Sequence, residues 1–189
     1  MTGGPVAVPK SRPQLDVASV RELLRGAGVD VNYPALLGQR GYYRDTMGKP
    51  GVNDWGLYDD AIFYFSPTAF SSFNANTDPS RSYPRVAVLE PGLWRYKLGV
   101  HGLSRPASKR YKALVQGAAV TVRRVDVAVP DTGWFGINIH RGSYGSTSSE
   151  GCQTIHPDQW DGFIGLVDGD MRRHNVLSIP YLLTEQAPA

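Results

Sequence analysis

One thiol with an imidazole a short loop upstream is the pairing in this chain best suited to chemistry. Cys152 is the single cysteine among 189 residues. A thiolate is a strong nucleophile, but a free thiol is mostly protonated at neutral pH, so it needs a base. A neighbouring imidazole can take that proton. His140 precedes Cys152 across residues 141–151, and the whole stretch reads INIHRGSYGSTSSEGCQTI. The loop holds Gly142, Gly145 and a run of hydroxyls at residues 146–149. Small, polar loops of this kind pack poorly but shape sites well. Gly151 leaves the main chain beside the nucleophile unobstructed, and the amides of Gly151 and Cys152 are candidate donors to a developing oxyanion. The alternative for Cys152 is a small buried hydrophobe. Its polar neighbours, Ser149, Glu150, Gln153 and Thr154, favour the nucleophile.

Other chemistries find less support. One cysteine excludes an internal disulfide and a cysteine-based zinc site. The histidines His101, His140, His156 and His174 lack the paired spacing of a metal site, so no metal and no cofactor is expected. His101 follows a strand and would line the same cleft. His156 precedes Pro157 and reads as a helix cap, and His174 follows Arg172-Arg173 and reads as exposed. Asp59-Asp60 would point opposite ways on an extended chain, which argues against paired-carboxylate catalysis.

These groups need elements to position them. Residues 1–14 are rich in Gly and Pro and read as an arm. Residues 14–25 carry Leu15, Val17, Val20, Leu23 and Leu24 at helical spacing, stopped by Gly26 and Gly28. Residues 37–55 read as mostly loop. From residue 61 the texture is that of strands: 61–65, 68–73, 85–89, 93–100, 118–129 with a bulge at Arg123-Arg124, 134–140 and 175–184. Residues 74–84 read as a polar loop. Pro157 starts a helix whose stripe is Trp160, Phe163, Ile164 and Val167. The expected class is mainly β with peripheral helices. Residues 1–55 are expected to be an arm, helix and loop packing on a main domain of residues 56–189.

Length allows one domain with a core. The formal charge is +3, with basic pairs at Lys109-Arg110, Arg123-Arg124 and Arg172-Arg173. They are scattered, without interleaved stacking aromatics, so no nucleic-acid partner is expected. A modest positive field suits anionic polymers such as bacterial cell wall. No run of eighteen apolar residues is present, so no membrane-spanning helix is expected. The first thirty residues show no apolar signal-peptide core. Trp55, Trp94, Trp134 and Trp160 are either core residues or rings for stacking on sugars.

A strand-borne histidine, a glycine-containing loop and then Ser-x-Gly-Cys resembles the catalytic motif of the YkuD-type L,D-transpeptidases, which remodel bacterial peptidoglycan. His140 matches the family's strand-end histidine, Ser149 its Ser/Thr, Gly151 its glycine and Cys152 its nucleophile. The match is close over residues 134–156. Glu150 stands where the family has a second histidine, the loop is several residues shorter, and Gln153-Thr154 departs from the usual residues after the cysteine. The resemblance implies a β-sandwich-like catalytic domain. It implies attack by Cys152 on the bond between diaminopimelate and D-alanine of a tetrapeptide stem, giving L,D-carboxypeptidase or L,D-transpeptidase products. The candidate catalytic residues are Cys152, His140 and Gly151, and the candidate substrate-binding residues are Arg141, whose guanidinium suits a carboxylate, Ser149, Gln153 and His101. A carbonyl after His140, such as that of Arg141, would hold the imidazole tautomer. Arg141 reads equally as an exposed strand-end charge. The expected place of action is the periplasm or cell wall. With no signal peptide visible, delivery by a secretion machine or in phage lysis is expected, with an immunity protein or secretion-machine component as partner. A cysteine endopeptidase of peptide cross-bridges and a non-catalytic wall-binding module are the competing readings.

Overall fold

The computed structural model describes residues 5–185; residues 1–4 of the expected arm and residues 186–189 lie outside it. In chain order the elements are α1 (Val17–Gly26), β1 (Ala35–Arg40), β2 (Asp60–Phe65), β3 (Phe70–Asn76), β4 (Ala87–Leu89) and β5 (Gly92–His101). A single 3-10 turn, Ala107–Lys109, precedes β6 (Tyr111–Gln116), β7 (Val120–Arg124), β8 (Val127–Gly133), β9 (Ile139–Arg141) and β10 (Gln153–Ile155). The chain ends with α2 (Pro157–Arg173) and β11 (Ile179–Glu185). The class is mainly β with two helices among the described residues.

The strands close on themselves rather than stacking as two layers. The order β1-β11-β5-β6-β9-β10-β3-β2 forms a closed barrel, and β4-β7-β8 forms a separate three-stranded sheet. The expected β-sandwich is therefore corrected to a barrel with an added sheet. Short strands β9 and β10 pair in parallel and bridge β6 to β3, which removes the edges a sandwich would leave open.

Within residues 1–55, expected to be arm, helix and loop, one segment is strand. β1 sits between β11 and β2, so residues 35–40 are a wall of the barrel. This segment read as loop because of Gly38. A Cβ there would fall 2.1 Å from the Tyr181 hydroxyl, so the glycine admits a ring rather than a turn.

Period-two alternation divides β1 and β2 between two cores. Leu36, Ile62 and Tyr64 face the main core, which also takes Phe73, Leu114, Ile139, Ile155, Tyr181 and, from α2, Trp160, Phe163, Val167 and Met171. Ala35, Leu37, Ala61, Phe63 and Phe65 face outward and are covered by Val20 and Leu24 of α1. Asp16 caps α1 by accepting the Ser19 amide at 2.9 Å. His156 caps α2, accepting the Asp158 amide at 3.4 Å, and Pro157 takes the first helical position as expected. Ile164 of the expected stripe is half-buried against the core. His174, expected to be exposed, is half-buried at the end of α2 with its ring edge-on to Tyr33.

Three further segments differ from expectation. Residues 118–129 are not one strand but the hairpin β7–β8, which turns at Asp126 with φ 65° and carries a register shift between Val122 and Arg124. Residues 74–76 belong to β3 rather than to a loop. Residues 134–138 are not strand, because the buried Gln116 Oε1 accepts the amides of Phe135, Gly136 and Ile137 at 3.1, 3.1 and 3.3 Å. Three amides converging on one oxygen curl the chain away from a ladder. Among the described residues no helix is long and apolar enough to cross a membrane.

Candidate active site

The pairing of β9 with β10 sets Gln153 opposite Ile139 and Thr154 opposite His140. That register brings Cys152 beside Asn138. The Asn138 amide donates to the Cys152 Sγ at 3.4 Å, and the thiol donates to the Gly136 carbonyl at 3.4 Å. Burial pushes the thiol up to about 11; the Asn138 amide pulls it down, and the Glu150 charge adds to the rise. At rest the sulfur is a protonated thiol, though not an entombed one, since the residue retains partial exposure and lines a cleft.

His140 is 3% exposed. Its Nδ1 lies 2.8 Å from the Arg141 carbonyl, an acceptor that requires a proton on Nδ1 and leaves Nε2 with its lone pair. The Tyr111 hydroxyl, 3.3 Å from both that carbonyl and Nδ1, completes the anchor. The His101 ring stacks on the His140 ring with centroids 4.0 Å apart. Burial lowers His140 to about 3, with the charges of His101 and Arg105 lowering it further against the Arg141 bond. Imidazole and thiol are therefore both neutral in the resting site.

Both residues line one cleft of about 570 Å³, together with His101, Arg81, Arg105, Ser148, Ser149 and Glu150. Strands β5, β6, β9 and β10 are consecutive in the barrel and deliver or flank all of these groups but Arg81, which lies between β3 and β4. His101 and Tyr111 form the closing pair of the β5–β6 hairpin, so one register presents both to His140.

The other expected site residues have more divided fates. Gly151 adopts φ 130°, and a Cβ there would lie 2.6 Å from the Ala87 carbonyl oxygen. It is needed for that close approach. Its amide is not free for an oxyanion, because it donates to the Ser149 Oγ at 3.1 Å. The Cys152 amide makes no hydrogen bond among the described residues and remains the candidate donor. Ser149 Oγ donates to the Cys152 carbonyl at 2.6 Å, and the Ser149 amide donates to Ser80 Oγ at 2.8 Å. It fixes the turn that carries Cys152. Gln153 is fully buried, donating to the carbonyls of Thr77 and Gly151 and accepting from Tyr181. It cannot touch substrate, and its expected binding role is corrected to an internal brace. Arg141 is exposed, with its guanidinium 5.0 Å from the Tyr111 ring centroid, beside a second cavity of about 390 Å³ that also meets His140.

Asp59 and Asp60 lie outside this cleft, both fully buried. Asp60 accepts from the Gly41 amide and from the Thr77 amide and hydroxyl, while Asp59 accepts from the Asp54 amide. Among the described residues no three His, Cys, Asp or Glu side chains converge to hold a metal ion. Of the tryptophans, Trp160 is core and Trp134 is 65% exposed.

Sequence reasoning missed Asn138, Tyr111, Arg105 and Tyr58. Tyr58, fully buried, accepts the Ser143 amide at 2.9 Å and donates to the Ser143 carbonyl at 2.8 Å, clamping the loop between the two catalytic candidates. Only strand register and long-range packing bring these residues to the site, and neither leaves a local motif. Comparison with protein-family models, curated proteins and solved structures finds no match to this chain.

Proposed function

We propose that this protein is a cysteine acyl-transfer enzyme acting on the stem peptides of bacterial peptidoglycan, at the bond between diaminopimelate and D-alanine. The observation that carries the reading is the fixed imidazole: Nδ1 bound to the Arg141 carbonyl, with Cys152 on the same cleft. A base of set tautomer sharing a cleft with a thiol suits covalent catalysis by sulfur. The motif resemblance supplies the substrate class.

The neutral pair reacts by concerted proton transfer. His140 Nε2 takes the thiol proton as Sγ bonds to the carbonyl carbon, and the Cys152 amide is placed to donate to the developing oxyanion. Collapse breaks the carbon–nitrogen bond, and the imidazolium returns its proton to the departing D-alanine amine. The thioester then passes to water or to an incoming amine. His140 takes a proton from that nucleophile and returns it to the sulfur as the carbon–sulfur bond breaks. Water gives a shortened stem; an amine gives exchange or a cross-link.

The test is mass spectrometry of muropeptides incubated with wild-type and Cys152→Ala protein, with and without added D-methionine. Wild type should remove or exchange the terminal D-alanine, and the variant should fold normally without turnover. Full activity in Cys152→Ala would end the proposal. Cleaved dimers with intact D-alanine would point to a cross-bridge endopeptidase instead.

A further inference from the structure

Glu150 lines the cleft shared by His140 and Cys152, but the second cavity beside His140 is lined by cations and no carboxylate. Residues 102–110, which join β5 to β6, bring Arg105, Lys109 and Arg110 to the cavity of about 390 Å³ beside His140, where Arg141 faces them. Its remaining polar lining is Ser108, Ser143, Ser148, Tyr111 and His101, with no carboxylate. None of these four cations has an ion-pair partner among the described residues, and here they share one cavity. Arg105 and His101 also line the nucleophile's cleft and a third cavity of about 760 Å³, so Arg105 stands where all three meet.

The loop is stiffened for its size. The amides of Arg105, Lys109 and Arg110 donate to the carbonyls of Gly102, Pro106 and Ala107 at 2.8, 2.9 and 3.1 Å. Arg110 Nε donates to the Arg105 carbonyl at 2.9 Å, and the Arg141 guanidinium rests on the Tyr111 ring. Like charges held together without partners repel one another, an arrangement that an anionic ligand relieves. Guanidinium groups suit carboxylates in particular, because their paired N–H donors match the two oxygens.

We propose that Arg105, Lys109, Arg110 and Arg141 form a carboxylate subsite that selects stem peptides by a free carboxylate close to the bond Cys152 attacks. This rests on the peptidoglycan reading for its ligand. Two carboxylates of the stem meet the description: the terminal one of D-alanine and the side-chain one of diaminopimelate.

Binding can be read apart from turnover by calorimetry on the Cys152→Ala protein. The probes are the tetrapeptide stem, the same peptide with its terminal carboxylate amidated, and the same peptide with lysine in place of diaminopimelate. Removing the recognised carboxylate should weaken binding about tenfold, and the arm that responds identifies which carboxylate is held. Adding Arg105→Gln and Arg110→Gln should weaken the parent stem by a similar factor and bring parent and responding analogue within about twofold. Raising salt to about 0.5 M should reduce the difference, since exposed charges are screened. Equal affinity of the Cys152→Ala protein for all three peptides, no binding of any, or discrimination that survives the double substitution would each overturn the subsite. Discrimination without any turnover by wild type would keep the subsite and remove the enzyme reading.

Discussion

Two neutral partners, rather than an ion pair, define the chemistry at the level of single residues. With His140 lowered to about 3 and the Cys152 thiol raised to about 11, both groups are neutral at rest. The base is deprotonated throughout the physiological range, so kcat/KM for the wild type should show no rising limb between pH 5.5 and 7.5. An inflection centred near 6.5 would mean that the imidazole is hydrated and ordinary. His140→Ala should cost about 10²–10⁴ in kcat/KM, the span of general-base help. The proposed nucleophile and base could be picked out as candidates in sequence because both lie in one contiguous stretch. Gln153 was misread for a reason equally local. Neighbours on an extended chain face opposite ways, so if Cys152 meets the cleft, Gln153 must face inward. Asn138 and Tyr111 left no such trace, since they reach the site through register alone.

At the scale of elements, the mobile-looking loop of small residues is pinned from beneath. Tyr58 holds both main-chain groups of Ser143, and a Cβ at Gly142 would lie 2.0 Å from its hydroxyl. The arm adds a second tie, with the Val6 amide donating to the Tyr144 carbonyl at 2.8 Å and the Tyr58 amide to the Ala7 carbonyl at 3.3 Å. Tyr58→Phe keeps the ring and deletes both hydroxyl bonds. It should lower stability by about 1–2 kcal/mol, read by urea unfolding, and reduce turnover about tenfold through loss of loop placement. A variant that matches wild type in both would show that the clamp does nothing. Helices were easier to foresee than strands here. α1 announces itself by apolar spacing and its stopping glycines, and α2 by a histidine cap, an initial proline and an apolar stripe. The β7–β8 hairpin hid because valines alternate through its turn, and β1 hid behind Gly38.

For the whole molecule, pH dependence should come from buried carboxylates as well as from the site. Arg40, fully buried, pairs with Asp78 at 3.1 Å and donates to the carbonyls of Thr77 and Leu89. Asp59 is lifted to about 7, mainly by burial and further by the charges of Asp78 and Asp54, against its hydrogen bonds. The folded protein thus retains a proton at Asp59 that the unfolded chain releases near pH 4. Its contribution is fully present below pH 4 and is lost as pH rises through 7. His140 acts in the opposite sense: its contribution is present above about 6.5 and declines as pH falls toward 3. Asp59→Asn keeps a neutral group in place, so its stability relative to wild type should rise between pH 4.5 and 8, by about 1–3 kcal/mol. Urea unfolding at the two pH values measures this; an unchanged difference would place the charged carboxylate at no disadvantage.

The parallel seating of β9 against β10 carries a consequence for how such a protein can diversify. Cys152 immediately precedes β10 and His140 lies on β9, two register positions further along strands about 4.8 Å apart, so their separation is set by the sheet and not by the chain that joins them. Residues 144–146, the tip between the Tyr58 clamp on Ser143 and the Ser149 turn, can then be lengthened, shortened or exchanged, tuning what enters from above while the sulfur and the imidazole keep their distance.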